Sequence, residues 1–264
     1  MIESLHSPHI ARVKALIGSR GVKERRSSGH FVAEGIQSVR EAITFRDEIS
    51  IDTLYLTSNG RIRLEESIDL SGVNTLDVSD EVMAAISETI TPQGILAICA
   101  IPQRTITQLE LTGKSRIIYL SEIQDPGNAG TIIRSADAMG MNAIVTSPGS
   151  VDLFSPKVVR STAGSLWHIP VFESIALEDL IRSFPTTQMF TLGSKGAIPL
   201  PELHVDSDCI AIFGNEARGI ATPQNLVQVS IPMPGNAESL NLSAAASIVM
   251  YHLSNIPTSA NSSR

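Results

Sequence analysis

The feature that most constrains this chain is the alternation in its second half of short apolar runs with helix-like stretches. The runs are IIYLSEI (117–123), NAIVTS (142–147), QMFTLGS (188–194), CIAIFG (209–214) and VQVSIPM (227–233). Between them lie GTIIRSADAMG (130–140), ALEDLIRSF (176–184) and, after the last run, SLNLSAAASIVMYHL (239–253). Strands that alternate with helices are joined by crossovers, which align the strands in parallel and cover both faces of the sheet. The expectation is an α/β fold with a mostly parallel sheet.

The first half is a smaller α/β pattern. FVAEG, TLYLTS, NTLDV and GILAICAIP read as strands, and SDEVMAAISE reads as a helix capped by Ser79, with Asp80 and Glu81 in its first turn. The segment after Pro102 is polar and interrupted. This divides the 264 residues into a domain at 1–105, a second at 115–255 and a frayed tail at 256–264. Apolar residues make up 42% and charged residues 18%, the composition of a globular protein. No signal segment or uncharged run long enough to span a bilayer is visible, so a cytoplasmic protein is expected. Cys99 and Cys209 stand far apart and outside any Cys-x-x-Cys spacing, the pattern of two buried reduced thiols.

The net charge of −7 disfavours a nucleic-acid partner, because phosphate is held by Lys and Arg. The distribution answers part of that objection. Residues 1–40 carry seven basic residues against three acidic ones, and Arg20, Lys23, Arg25 and Arg26 form the densest group. They are candidates for RNA contact; the competing reading is a solvated helix face and loop.

Three segments carry more than structure demands. In DPGNAGTIIRSADAMG (125–140), Pro126 and Gly127 mark a turn, Asn128 can cap a helix and Gly140 ends it. Arg134 then stands inside an apolar, small-residue helix, where it needs an anionic partner or an exposed face. In IAIFGNEARGI (210–220), an apolar run ends in Gly214, Asn215 and Glu216, at the carboxyl end of a strand, the edge where α/β folds place ligands. In SIPMPGNAESLNLSAAASI (230–248), Ser239 looks like a helix cap and Leu240, Leu242, Ala244, Ile248 and Tyr251 look like core. Asn241 falls inside that helix, where it needs a partner for its amide.

In this order the segments resemble the three signature motifs of the SpoU/TrmH family of RNA 2′-O-ribose methyltransferases, in the SPOUT superfamily. Asn-x-Gly-x-x-x-Arg is met by Asn128, Gly130 and Arg134. Gly-Asn-Glu-x-x-Gly is met by Gly214, Asn215, Glu216 and Gly219; Ile-Pro-Met and Ser-Leu-Asn by Ile231–Met233 and Ser239–Asn241. SPKVVRSTAGSLWHIPV (155–171) is similar to the family's intervening segment, and the N-terminal region resembles a ribosomal-protein-like RNA-binding domain. The resemblance covers about residues 116–253. It implies a C-terminal trefoil knot, which no alternation pattern predicts, and a homodimer through the C-terminal domain. It further implies S-adenosylmethionine held near Leu192, Gly214, Ile231 and Leu240, with Arg134 at the ribose hydroxyl and Asn128, Glu216, Ser239 and Asn241 orienting it. The expected substrate is RNA, 23S ribosomal RNA in preference to tRNA; a tRNA enzyme and an inactive RNA-binding relative remain alternatives.

Other chemistries fit less well. LTGKS lacks the first glycine of a P-loop, which would fall at Gln108, and no Gly-x-Gly-x-x-Gly follows a strand. That argues against nucleotide triphosphates and against a nicotinamide oxidoreductase. The six histidines are scattered without metal-ligand spacing, so no metal is expected.

Overall fold

A computed structural model describes residues 1–193, 198–214 and 226–256. The chain forms two compact units: Met1–Gln103 together with Asp152–His168, and Arg104–Val151 together with the chain from Ile169 on.

The first unit begins with helices α1 (Pro8–Ile17) and α2 (Gly21–Ser28). Strands β1 (His30–Glu34), β2 (Ile51–Leu56), β3 (Thr75–Asp77) and β4 (Ile95–Ala100) follow, with α3 (Ile36–Thr44), α4 (Ser58–Glu65) and α5 (Asp80–Ile86) between them. The sheet runs in the order β1-β4-β2-β3, with β4 antiparallel to both neighbours and β3 parallel to β2. Ile10, Val13 and Leu16 share one face of α1 and pack with Val82, Met83 and Ile86 of α5 on the sheet residues Val32, Tyr55, Leu96 and Ile98. Ser79 caps α5 as expected, its hydroxyl accepting from the Val82 N–H at 3.2 Å.

The second unit opens with β5 (Arg116–Leu120), α6 (Pro126–Ala138) and β6 (Ala143–Thr146). The chain then leaves this unit for residues 152–168, which contain α7 (Pro156–Ser161), and returns at β7 (Val171–Phe172). It continues through α8 (Leu177–Ser183), β8 (Gln188–Leu192), β9 (Ile198–Pro199), β10 (Cys209–Phe213), β11 (Val227–Ser230) and α9 (Leu242–Ser254). Among the described residues these strands form one sheet in the order β7-β6-β5-β10-β8-β11-β9, every neighbouring pair parallel. The five apolar runs of the sequence are β5, β6, β8, β10 and β11, although β11 stops at Ser230 and leaves Ile231–Met233 outside it. On one face Ile117, Tyr119, Val145, Ile210 and Ile212 pack with Leu180 of α8; α6 and α9 pack against each other. Both cysteines are buried free thiols, and burial pushes Cys209 up to about 11, Arg116 opposing in part.

The first unit is not the continuous 1–105 expected from sequence, because residues 152–168 complete it. Phe154 and Trp167 close on Phe31 of β1, with ring centroids 5.0 and 6.0 Å away, and all three side chains are buried. Each buried ring contributes about 2–3 kcal/mol. A buried ion pair joins the same segment to α2. Arg25 gives Nε at 2.8 Å and Nη2 at 2.7 Å to Asp152 Oδ2, and its Nη1 donates to the Leu16 carbonyl. The other Asp152 oxygen accepts the Phe154 N–H at 2.9 Å. Of the expected tail, only Ile256 lies within the described residues. No helix among those residues is long and apolar enough to cross a membrane.

Candidate functional site

Parallel register brings three strand ends level. Leu192 of β8 pairs with Val229 of β11, and Thr191 pairs with Ile212 of β10, so β8, β10 and β11 finish side by side. Beyond these carboxyl ends lies a cavity of about 940 Å³, lined by Leu192, Gly193, Phe213, Gly214, Val229 and Ser230. Ile231–Met233 and Ala237–Leu242, with Ala245, form its remaining wall. The four positions expected to hold a cofactor, Leu192, Gly214, Ile231 and Leu240, all line this one cavity, as do Ser239 and Asn241. Sequence reasoning overlooked Gly193 and Ser230, each adjacent to a position it did name. The signal was available, since residues immediately beyond a parallel strand line this edge.

The volume and lining suit S-adenosylmethionine. A cavity of this size is within the range of cofactor sites, and its wall mixes apolar side chains, fit for a purine ring, with Ser230, Glu238, Ser239 and Asn241, fit for hydroxyl and ammonium groups.

The helix starts differ from the sequence expectation at two places. Asn241, not Ser239, caps α9: its Oδ1 accepts from Ser243 N at 2.9 Å and Ala244 N at 3.3 Å, and also from the Ser243 hydroxyl at 2.6 Å. The chain is still non-helical at Ser239 and Leu240, so Ser239 has no first turn to cap. Asp125, not Asn128, caps α6, its Oδ1 accepting the Asn128 N–H at 2.7 Å. Proline at the first helical position, Pro126, places the cap one residue earlier. Asn128 is thereby held in the first turn, where its Oδ1 accepts from Asn241 Nδ2 at 3.1 Å. A second link joins the Ser247 and Ser135 hydroxyls at 3.0 Å, and the two links show that α6 and α9 run in the same direction. Both amides therefore sit where two helices begin beside the cavity.

Arg134 lies on the exposed side of α6 and is not on the cavity wall. It stands six positions after Asn128, so the two side chains leave the helix axis about 120° apart. Glu216, with Asn215 and Gly219, lies outside the described residues. The face of α9 also differs from expectation. Its buried residues are Ala245, Ala246, Val249, Met250 and Leu253, while Ile248 is 41% and Tyr251 64% exposed, and Leu240 and Ala244 are exposed as well. In the first unit, Arg20, Lys23 and Arg26 are exposed, but Arg25 is 3% exposed and committed to Asp152 and Leu16, so it is no phosphate ligand. Among the described residues no three His, Cys, Asp or Glu side chains gather as a metal site.

A model of the SpoU rRNA Methylase family matches residues 115–251, and a model of an MRM3-like substrate binding domain matches residues 8–97. The chain is 31% identical over 236 residues to the 23S rRNA (guanosine(2553)-2′-O)-methyltransferase RlmP of Bacillus subtilis (strain 168), covering 88% of this chain and 91% of that one. It is 25% identical to the 23S rRNA (uridine(2479)-2′-O)-methyltransferase of Streptomyces viridochromogenes, over 90% of this chain and 86% of the other. The crystal structure of an AdoMet-bound rRNA methyltransferase from Sinorhizobium meliloti superposes with a TM-score of 0.83 at 27% identity, covering 96% of each chain.

Proposed function

The chain belongs to the SpoU rRNA Methylase family, and from that premise we propose that it is an S-adenosylmethionine-dependent methyltransferase acting on a ribose 2′-hydroxyl of 23S ribosomal RNA. The observation that carries this reading is the cavity at the ends of β8, β10 and β11, whose wall gathers Leu192, Gly214, Ile231, Leu240 and Asn241. When bound, S-adenosylmethionine supplies a methyl group already activated by its sulfonium, and such a transfer calls for no metal.

The residues then divide the work. Leu192, Ile231 and Leu240 bound an apolar slot, and Gly214, without a side chain, lets a ligand approach the main chain at the end of β10. The remaining difficulty is a neutral hydroxyl, a weak nucleophile. Arg134 is the cation that stabilises the negative charge developing on that oxygen as it takes the methyl group, the hydroxyl proton passing to solvent. Asn128, Glu216, Ser239 and Asn241 orient Arg134 and the ribose. Exposed Arg20, Lys23 and Arg26 of the first unit offer phosphate contacts to RNA.

The reading includes a homodimer through the second unit and a trefoil-knotted C-terminal region. Two features support the dimer: the apolar Ile248 and Tyr251 stand exposed on α9, and Arg134 is absent from the wall of its own chain's cavity. The reading also places the protein in the cytoplasm, with the RNA.

The test is transfer of labelled methyl from S-adenosylmethionine to separate pools of ribosomal RNA and tRNA, followed by nucleoside digestion. A 2′-O-methylated nucleoside from the ribosomal pool is expected. The same product from tRNA alone would replace the substrate, and cofactor binding without transfer to either pool would favour an inactive RNA-binding protein.

A further inference from the structure

We infer that Ser135 and Ser247 are positioning residues for Arg134: the hydrogen bond between their hydroxyls fixes the direction in which the arginine leaves α6 relative to α9. This rests on the methyltransferase reading above. The two hydroxyls stand 3.0 Å apart, and Ser247 Oγ also donates to the Ser243 carbonyl, one turn earlier, at 2.8 Å. Ser135 and Ser247 therefore face each other across the seam between two helices that run in the same direction. Successive residues of an α-helix turn by about 100°, always in one sense. When two parallel helices face each other, the residue before the contact on one and the residue after it on the other emerge on the same side. Those residues are Arg134 and Ile248, and both are exposed. Their counterparts on the opposite side, Ala136 and Ala246, are both fully buried.

The rest of the helix pair obeys the same geometry. Ile132 and Met250 fall on the inner side with the two alanines and are buried, whereas Thr131, Ala138, Ala244 and Tyr251 fall on the side of Arg134 and are exposed. Apolar packing thus grips the inner side of the seam. At its outer edge, one residue from Arg134, the serine hydroxyls close it. Without their bond α6 can roll slightly about its buried face, and a guanidinium at the end of a long side chain magnifies that roll. Charge stabilisation of a reacting oxygen depends on a group already held in place, so a small displacement of Arg134 is costly to the rate.

Alanine at either serine removes the bond with hardly any change of volume. In S135A and in S247A, kcat for methyl transfer should fall about 3–10-fold, the worth of one hydroxyl hydrogen bond. KM for RNA, the dissociation constant for S-adenosylmethionine and Tm should stay near their wild-type values. The double variant should be no slower than either single one, because the two residues share one bond. S247T should recover the rate, since threonine keeps a hydroxyl able to bond the carbonyl one turn back. The side-chain 15Nε–1H resonance of Arg134 gives a readout independent of turnover: it should move in S247A, a substitution on the other helix, and return in S247T. Losses that multiply in the double variant, a Tm that falls together with kcat, or an Arg134 resonance unmoved in S247A would each overturn the inference. Wild-type protein that transfers no methyl to any RNA would instead count against the methyltransferase reading, with the resonance still deciding the serines.

Discussion

Helices α2 and α6 each carry an arginine that the sequence marks as functional, and the structure gives the two opposite surroundings. Arg25 of α2 is buried and its guanidinium is engaged by Asp152 on one edge and by the Leu16 carbonyl on the other. Arg134 of α6 is exposed, on a helix whose first turn is tied to the amide pair beside the cavity. The difference separates an arginine that organises protein from one available to a substrate. A basic cluster read from sequence mixes both kinds.

Four measurements bear on that contrast. Arg134→Ala is expected to lower methyl transfer by at least about 10³-fold, while Tm and cofactor affinity stay at their wild-type values; retained turnover would remove Arg134 from the chemistry. Arg25→Ala should leave Asp152 as an unpaired buried charge and cost about 3–5 kcal/mol in denaturant unfolding. Hydrogen exchange should rise first in residues 152–168, and lysine at position 25 should restore little, since it cannot make the two-pronged contact. An unchanged unfolding midpoint with weakened RNA binding would break the comparison. Gly21→Ala tests the same packing more gently. A Cβ there would stand 2.4 Å from the Leu16 carbonyl oxygen and 2.5 Å from Arg25 Nη1, and a loss of about 1–3 kcal/mol is expected. The smallest effect belongs to Lys23→Ala, whose exposed charge should leave stability untouched and lower the slope of log affinity for RNA against log salt by about 0.7–0.9.

Much of the fold could be read from the chain because strands buried in a parallel sheet announce themselves as apolar runs. The helix starts were harder. Ser239 and Asn241 are both good caps, and only the path of the chain after Met233, which stays non-helical through Leu240, decides between them. Asp125 was readable, since the proline that follows it is the usual first helical residue. In α9 the residues are apolar nearly all round, so periodicity cannot choose the face; the fold buries the small Ala245 and Ala246 and leaves Ile248 and Tyr251 outside. The role of Arg25 was invisible for a different reason, because its partner Asp152 stands 127 positions away.

The placement of residues 152–168 bears on how such proteins exchange parts. A chimaera that takes only residues 1–103 from one relative would inherit Phe31 without Phe154 and Trp167, and Arg25 without its carboxylate. A working graft must carry two separate stretches of gene, the second lying inside the region that encodes the methylase. The two stretches of the first unit are separated in the reading frame by part of the second, so recombination at a single crossover cannot exchange the first unit whole.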